Sequence, residues 1–234
     1  MLCSGTPWRT FRWYRGQKHY SGAYWSATTG NLVVYESRLE LARVLFADFD
    51  PTVRGIMAQP FLLKSLDKGT VRRHIPDYLL LTDHGPMVVD VKPRHQQLSP
   101  VVATAFTWTR RAVESRGWRY EVWGEPPEAE LANVRFLAGF RREWLFAPGL
   151  LGELLLAGLD GATITEAAGC LPRWPEPCVR AAIHHLLWRH DLHTDLTQPL
   201  QATAVPAQTL CRSRVGQRRF GSWPRWSGVI RCSG

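Results

Sequence analysis

Two aspartates and a lysine, spaced so that one hairpin can gather them, are the residues of this chain best suited to chemistry. They lie in the run His74-Ile75-Pro76-Asp77-Tyr78-Leu79-Leu80-Leu81, the turn Thr82-Asp83-His84-Gly85-Pro86 and the run Met87-Val88-Val89-Asp90-Val91-Lys92. Carboxylate oxygens suit hard cations such as magnesium or manganese, which keep several waters and bind through one or two carboxylates plus a substrate phosphate. Such an ion acidifies its bound water and neutralises charge developing on a phosphodiester. An ammonium beside it orients that water or stabilises the pentavalent oxygens. Asp90 and Lys92 alone read more readily as an edge-strand salt bridge than as a catalytic pair. Asp77 and an upstream glutamate shift the balance toward catalysis.

The elements that must position these groups follow from local pattern. Two β-rich apolar runs around an Asp/His/Gly turn predict a β-hairpin. With His84-Gly85 as its loop, Asp83 faces Pro86, Asp77 stands opposite Lys92, and Asp90 is the diagonal neighbour on the same face. Asp90 and Lys92 share a face in any register, because strand side chains alternate with period two. A slip of one residue would separate Asp77 from both. Upstream, in Tyr35-Glu36-Ser37-Arg38-Leu39-Glu40, a helix is predicted to begin, since Leu39, Ala42, Leu45, Phe46 and Phe49 recur at helical spacing. Ser37 followed by Glu40 is also a capping-box pattern, which gives Glu40 a structural use. Glu36 precedes the cap and competes for the metal role; Glu40, one turn into the helix, is preferred.

These residues together resemble a known family. Tyr35-Glu36-Ser37-Arg38-Leu39-Glu40, Phe49-Asp50-Pro51, Gln59-Pro60-Phe61, Pro76-Asp77 and Asp90-Val91-Lys92-Pro93 are similar to motifs of the TnsA-type transposase endonuclease subunit. The resemblance covers about residues 35 to 125, and its motifs are specific in combination. It implies a restriction-endonuclease-like α/β fold, a mixed sheet flanked by helices, that cuts double-stranded DNA at transposon ends and supplies the 5′-end cleavages. It also implies a magnesium cofactor (manganese as substitute), an integrase-type transposase subunit and an ATPase regulator as partners. Carried over by position, Glu40, Asp77 and Asp90 are the metal-binding acids, with the Val91 backbone carbonyl as a further ligand, and Lys92 is the catalytic lysine. The position of Asp90 is often Glu or Gln in the family, so the carboxylate here is shorter by one methylene. Gln59 falls on a family motif, beside the alternative of a strand-end amide bonded to backbone.

Composition sets the bounds. At 234 residues the chain holds one large or two small domains. No stretch is apolar enough to span a membrane; Leu150 to Leu159 is too short and is broken by Glu153. Five scattered cysteines without metal-finger spacing fit a reduced, cytoplasmic setting. Six of the nine net positive charges lie in residues 201–234, which contain no acid. A second basic zone, Arg9, Arg12, Arg15 and Lys18 alternating with Trp8, Phe11, Trp13 and Tyr14, reads as a phosphate grip or as an amphipathic strand on the core.

Four segments are predicted: residues 1–30 as the basic, aromatic lead-in, 31–127 as the catalytic domain, 128–200 as a smaller helical domain, and 201–234 as a disordered basic tail. Within the second, a helix from Val101 to Arg116 stopped by Gly117 precedes an aromatic strand at 118–123. Trp108, Trp118 and Trp123 are expected in the core. In the third, Ala129 to Phe146 reads as a helical connector packed on the first domain. The capping box Thr163-Ile164-Thr165-Glu166, a proline-rich turn, a helix from Cys178 to His190 and an extended return over 191–200 look like a winged helix-turn-helix. In that reading Arg173, Arg180 and His184 face phosphates or a groove; a helical module docking a protein partner is the competing one. Two further functions are carried beside the endonuclease subunit: a non-catalytic DNA- or partner-binding subunit on the same scaffold, and a free-standing restriction or repair nuclease.

Overall fold

The sheet that carries Asp77 and Asp90 is buried on both faces, and the alternation of its strands shows why. The computed structural model describes residues 20–67, 70–159, 161–208 and 229–232, which fall into two units. In the first unit, β1 (Gly22–Ser26) and β2 (Asn31–Tyr35) form an antiparallel hairpin, followed by α1 (Arg38–Phe49) and β3 (Val53–Ala58). Next come β4 (Leu62–Asp67), β5 (Thr70–His74), β6 (Tyr78–Thr82), β7 (Gly85–Val91), the short α2 (Arg94–Gln97), α3 (Pro100–Glu114) and β8 (Arg119–Trp123). The central sheet has the order β3-β6-β7-β8, antiparallel except for the parallel pair β7 and β8. Parallel neighbours need a crossover, which α3 supplies.

Residues Leu79, Val88 and Tyr120 point to one face and pack with Phe61, Leu63 and Val113. Trp108 and Trp118 lie against this cluster, as expected of core aromatics. The other face, with Tyr78, Leu80 and Val89, lies under α1, whose Arg43 donates to Glu121 of β8 at 2.7 Å and whose Phe46 meets Trp123. Two faces covered by helices explain why both strands of the hairpin read as near-continuous apolar runs. Each fully buried leucine or valine there contributes about 1.5–3 kcal/mol. The fold is therefore an α/β unit with a mixed sheet flanked by helices, as expected.

One buried carboxylate ties the first hairpin to α1. Asp48 accepts from Tyr24 Oη at 2.8 Å, Ser26 Oγ at 2.6 Å, Ala27 N at 3.0 Å and Thr28 N at 2.8 Å. Residues 22–30, expected in the lead-in, thus belong to a hairpin with Asn31–Tyr35; Arg9, Arg12, Arg15 and Lys18 lie outside the described residues. A second small sheet has the order β11-β4-β5, where β11 (Val229–Cys232) runs parallel to β4. The tail expected to be disordered contributes this strand, and residues 201–208 are also described. Composition misled here: a strand added to an existing edge needs only backbone partners, which a hydropathy reading does not register.

The second unit begins at Pro126. It contains α4 (Glu128–Leu137), two 3₁₀ turns (Ala138–Phe140 and Glu143–Leu145), α5 (Pro148–Leu156), α6 (Ile164–Ala168) and α7 (Glu176–Trp188). Thr163 and Glu166 make the predicted capping box, and Val179, Ala182, Ile183, Leu186 and Leu187 form the predicted apolar stripe, all buried. The expected connector is α4, which packs within this unit against α7. The return strand is shorter than expected: β9 (Leu192–His193) pairs with β10 (Ala207–Gln208). Residues 196–200 are instead held by the buried Asn133, whose Nδ2 donates to Leu196 O and Gln198 O while its Oδ1 accepts from Leu200 N.

Candidate functional site

The turn between β6 and β7 is Asp83-His84, one residue earlier than expected, because Thr82 pairs with Gly85. Gly85 takes a positive φ of 93°, which a side chain would resist. Thr82 Oγ1 closes the turn by donating to Gly85 O at 2.8 Å. The ladder continues through Tyr78–Val89, so its next position sets Asp77 opposite Asp90, where Lys92 was expected. The change keeps the parity of both strands, so Asp77, Asp90 and Lys92 still share the face of Leu79 and Val88.

Each acid is held by a different partner. Val91 N–H donates to Asp77 Oδ2 at 2.6 Å; the Val91 carbonyl was the expected ligand, and its N–H is what touches an acid. Asp90, only 2% exposed, has His74 Nε2 at 2.8 Å from Oδ1 and 2.9 Å from Oδ2, and accepts from Tyr120 Oη at 2.5 Å. The edge-strand salt bridge considered for Asp90 and Lys92 is not formed; Asp90 pairs with His74 instead. Lys92 is fixed through its backbone, N–H to Trp123 O at 2.8 Å and carbonyl from Gln97 Nε2 at 2.7 Å. Gly124 permits that approach, since a Cβ there would meet Gln97 Nε2 at 3.0 Å and Arg94 Cγ at 2.7 Å.

Glu40 lies in the first turn of α1, and Glu36 just before its Ser37 cap. Glu40 makes the capping contacts: its N–H donates to Ser37 Oγ at 3.1 Å, while Ser37 Oγ–H reaches Oε1 and Glu36 N–H reaches Oε2 at 2.8 Å. Glu36 Oε1 accepts from Gln59 Nε2 at 2.9 Å. Gln59 holds a strained backbone with φ 46°, and its N–H donates to Asp77 O at 2.8 Å. Its Oε1 is buried and without a partner among the described residues. The Gln59 side-chain amide therefore bonds a carboxylate where one reading expected backbone, and only its own backbone N–H bonds a main-chain oxygen.

Electrostatics bind the cluster together. Burial pushes the Asp77 carboxyl up to about 7, assisted by repulsion from Asp90 and Glu40 and opposed by the Val91 N–H bond and by His74. The Tyr120 hydroxyl is raised by burial and by the neighbouring Asp90 charge. Among the described residues, no three His, Cys, Asp or Glu side chains converge as a ready metal site. The donor set nevertheless fits a hard divalent cation: it is built of oxygens, its acids repel one another across a ladder rung, and Gln59 adds a buried oxygen with no other use.

His74 and Tyr120 are site residues that pattern reading missed. His74 stands three residues before Asp77, but its strand pairs elsewhere; Tyr120 lies on the strand parallel to β7, a partnership no local period reveals. In the second unit, Arg173 is paired with Glu153 at 2.6 Å and Arg180 with Glu176. His184, expected at a groove, is buried between Phe136 and Phe140, and burial pushes its imidazole down to about 4. Its apolar stripe position, one residue after Ile183, draws it inward.

The class that fold and site define is thus an α/β unit with an acidic cluster at the ends of adjacent antiparallel strands. No family model and no curated protein matches the chain.

Proposed function

We propose that the first unit is a metal-dependent DNA endonuclease and that the chain serves as a TnsA-like subunit of a heteromeric transposase. The observation that carries this reading is the pair Asp77 and Asp90, one step beyond the Tyr78–Val89 pair of the ladder, where burial first and the Asp90 charge second hold the Asp77 carboxyl up. A fixed structural pair would be expected to include a cation, whereas crowded acids await one. Asp77 and Asp90, with Glu40 from α1, would hold a magnesium or manganese ion, which supplies an activated water and charge neutralisation at the scissile phosphate. Lys92, on the same face as Asp90, orients the attacking water toward phosphorus; His74 and Tyr120 hold the Asp90 carboxylate in place. The second unit, with its capped short helix, turn and longer helix, is read as a winged-helix-like module for DNA or for the transposase and ATPase subunits.

The test is cleavage of end-labelled transposon-end duplex with the neighbouring transposase subunit present. Asp90→Asn, which keeps acceptors for His74 and Tyr120, and Lys92→Ala should fold as the wild type does and lose cleavage by orders of magnitude. Equal cutting by all three proteins would discard the assignment. A second reading, a non-catalytic subunit on the same scaffold, is favoured by one observation: Glu40 is already committed to the cap and Asp90 to His74 and Tyr120. It expects metal-independent DNA binding and no cleavage with any partner.

A further inference from the structure

Gln59 joins the entry of β6 to the segment that leads into α1. Its main-chain N–H donates to Asp77 O at 2.8 Å, and its side-chain Nε2 donates to Glu36 Oε1 at 2.9 Å. A carboxylate only accepts, so it must face the NH2 end of the amide, which fixes Oε1 as the other end. That oxygen is buried and has no partner among the described residues, and Gln59 as a whole is 9% exposed. A buried amide oxygen without a donor is unfavourable, and it calls for a donor from something bound beside it. The backbone is unfavourable as well. Gln59 takes φ 46°, although Pro60 follows and a residue before proline favours an extended conformation. Strain of this kind gathers where the geometry of a site outweighs local stability.

Glu36 shares the neighbourhood of Asp77. Tyr78, the residue after Asp77, donates its hydroxyl to Val34 O at 3.1 Å. Burial first, and then the charges of Glu40, Asp77 and Glu36, push that hydroxyl up. Glu40 has both oxygens in the cap, Oε1 with Ser37 Oγ and Oε2 with Glu36 N. We infer that Gln59 is a positioning residue of the cation site: it sets Glu36 against the β6 entry at Asp77, and its Oε1 accepts a hydrogen bond from a water on the bound cation. The inference rests on the metal-dependent reading of the first unit. Magnesium keeps several of its waters when protein carboxylates hold it, so an amide oxygen one shell out suits it.

The experiment titrates the full chain with manganese chloride, following the paramagnetic resonance of the free ion, and records melting midpoints in EDTA. Gln59→Gly accepts the positive φ and removes the amide. Gln59→Asn tolerates the same backbone and keeps an amide one methylene short. Both should weaken manganese binding by about 10–100-fold. Their midpoints in EDTA should stay within about 3 °C of the wild type, because relief of backbone strain offsets the lost bond to Glu36. Asp77→Asn should remove the same binding, which locates the ion at the acids. Wild-type affinity in both Gln59 variants, where Asp77→Asn abolishes binding, overturns the inference alone. A midpoint lowered by more than about 5 °C in both variants makes the amide an element of the fold and overturns it whatever the affinity. A wild type that binds no manganese, or binds it equally after Asp77→Asn, sinks the metal-dependent reading and the inference with it.

Discussion

Replacing Asp77 by Asn should make the metal-free protein more stable at pH 8 and leave it little changed at pH 4. In the folded state the Asp77 carboxyl titrates at about 7, against an ordinary value of 3.8. Between these values the folded chain keeps a proton that the unfolded chain has released. Stability from this group is therefore present in acid and is lost as pH rises through 7. A displacement of about three pKa units corresponds to about 4 kcal/mol. Asn keeps an oxygen to accept the Val91 N–H but gives up the charge-assisted part of that bond, about 1 kcal/mol. The net gain at pH 8 is thus about 3 kcal/mol, or about 10 °C in melting midpoint for a chain of this size. Calorimetry in EDTA at pH 4, 6 and 8 would measure it. Manganese should then raise the wild-type midpoint at pH 8 while leaving Asp77→Asn unmoved. A variant destabilised equally at every pH would refute the crowded-acid account.

Other outcomes follow from single contacts. Tyr120→Phe removes a donor from Asp90 and should weaken manganese binding about tenfold, read by titration calorimetry, with the melting midpoint shifted by only a few degrees. Asp48→Ala leaves Tyr24, Ser26, Ala27 and Thr28 without their common acceptor and should cost about 3–5 kcal/mol in urea unfolding. His184→Leu addresses the second unit, where the sign is opposite. The imidazole is held near 4, so stability is full above 6.5 and falls as pH drops toward 4. The full shift would be worth about 3 kcal/mol, discounted to about 2 for solvent screening. His184→Leu should remove that share of the acid-dependent loss, seen as a smaller drop in urea midpoint from pH 7 to 4.5 than the wild type shows.

The elements with strong local signatures were readable from the chain. Helix α1 starts at the Ser37 cap, helix α3 stops before Gly117 with its positive φ, and the Thr163 capping box opens α6, because caps and left-handed turns are encoded within four residues. The face shared by Asp77, Asp90 and Lys92 was also legible, since alternation survives an error that shifts both strands together. The turn position was not, as Asp83-His84 and His84-Gly85 are locally similar candidates. Strand β11 escaped notice because its pairing joins distant segments, Ile230 with Leu63, whereas β1, β4 and β5 sit in local hairpins whose mixed polar and apolar runs carry no clean alternation. The partners of Asp90 likewise came only from tertiary structure: His74 and Tyr120 arrive from two different strands. The double use of Glu40 was visible as a conflict; the geometry shows it capping α1, while its charge adds a minor repulsion at Asp77.

The pairing of β11 with β4 has a consequence for synthesis. About 160 residues separate the two strands, a distance the ribosome covers on the order of ten to thirty seconds at about 5–20 residues per second. Throughout that interval the free edge of β4 can recruit a strand from a neighbouring nascent chain. The second unit is translated inside this window, so its folding precedes completion of the first. Polysomes crowded on one message would thus be where mispairing between copies begins, and slowing initiation should relieve it.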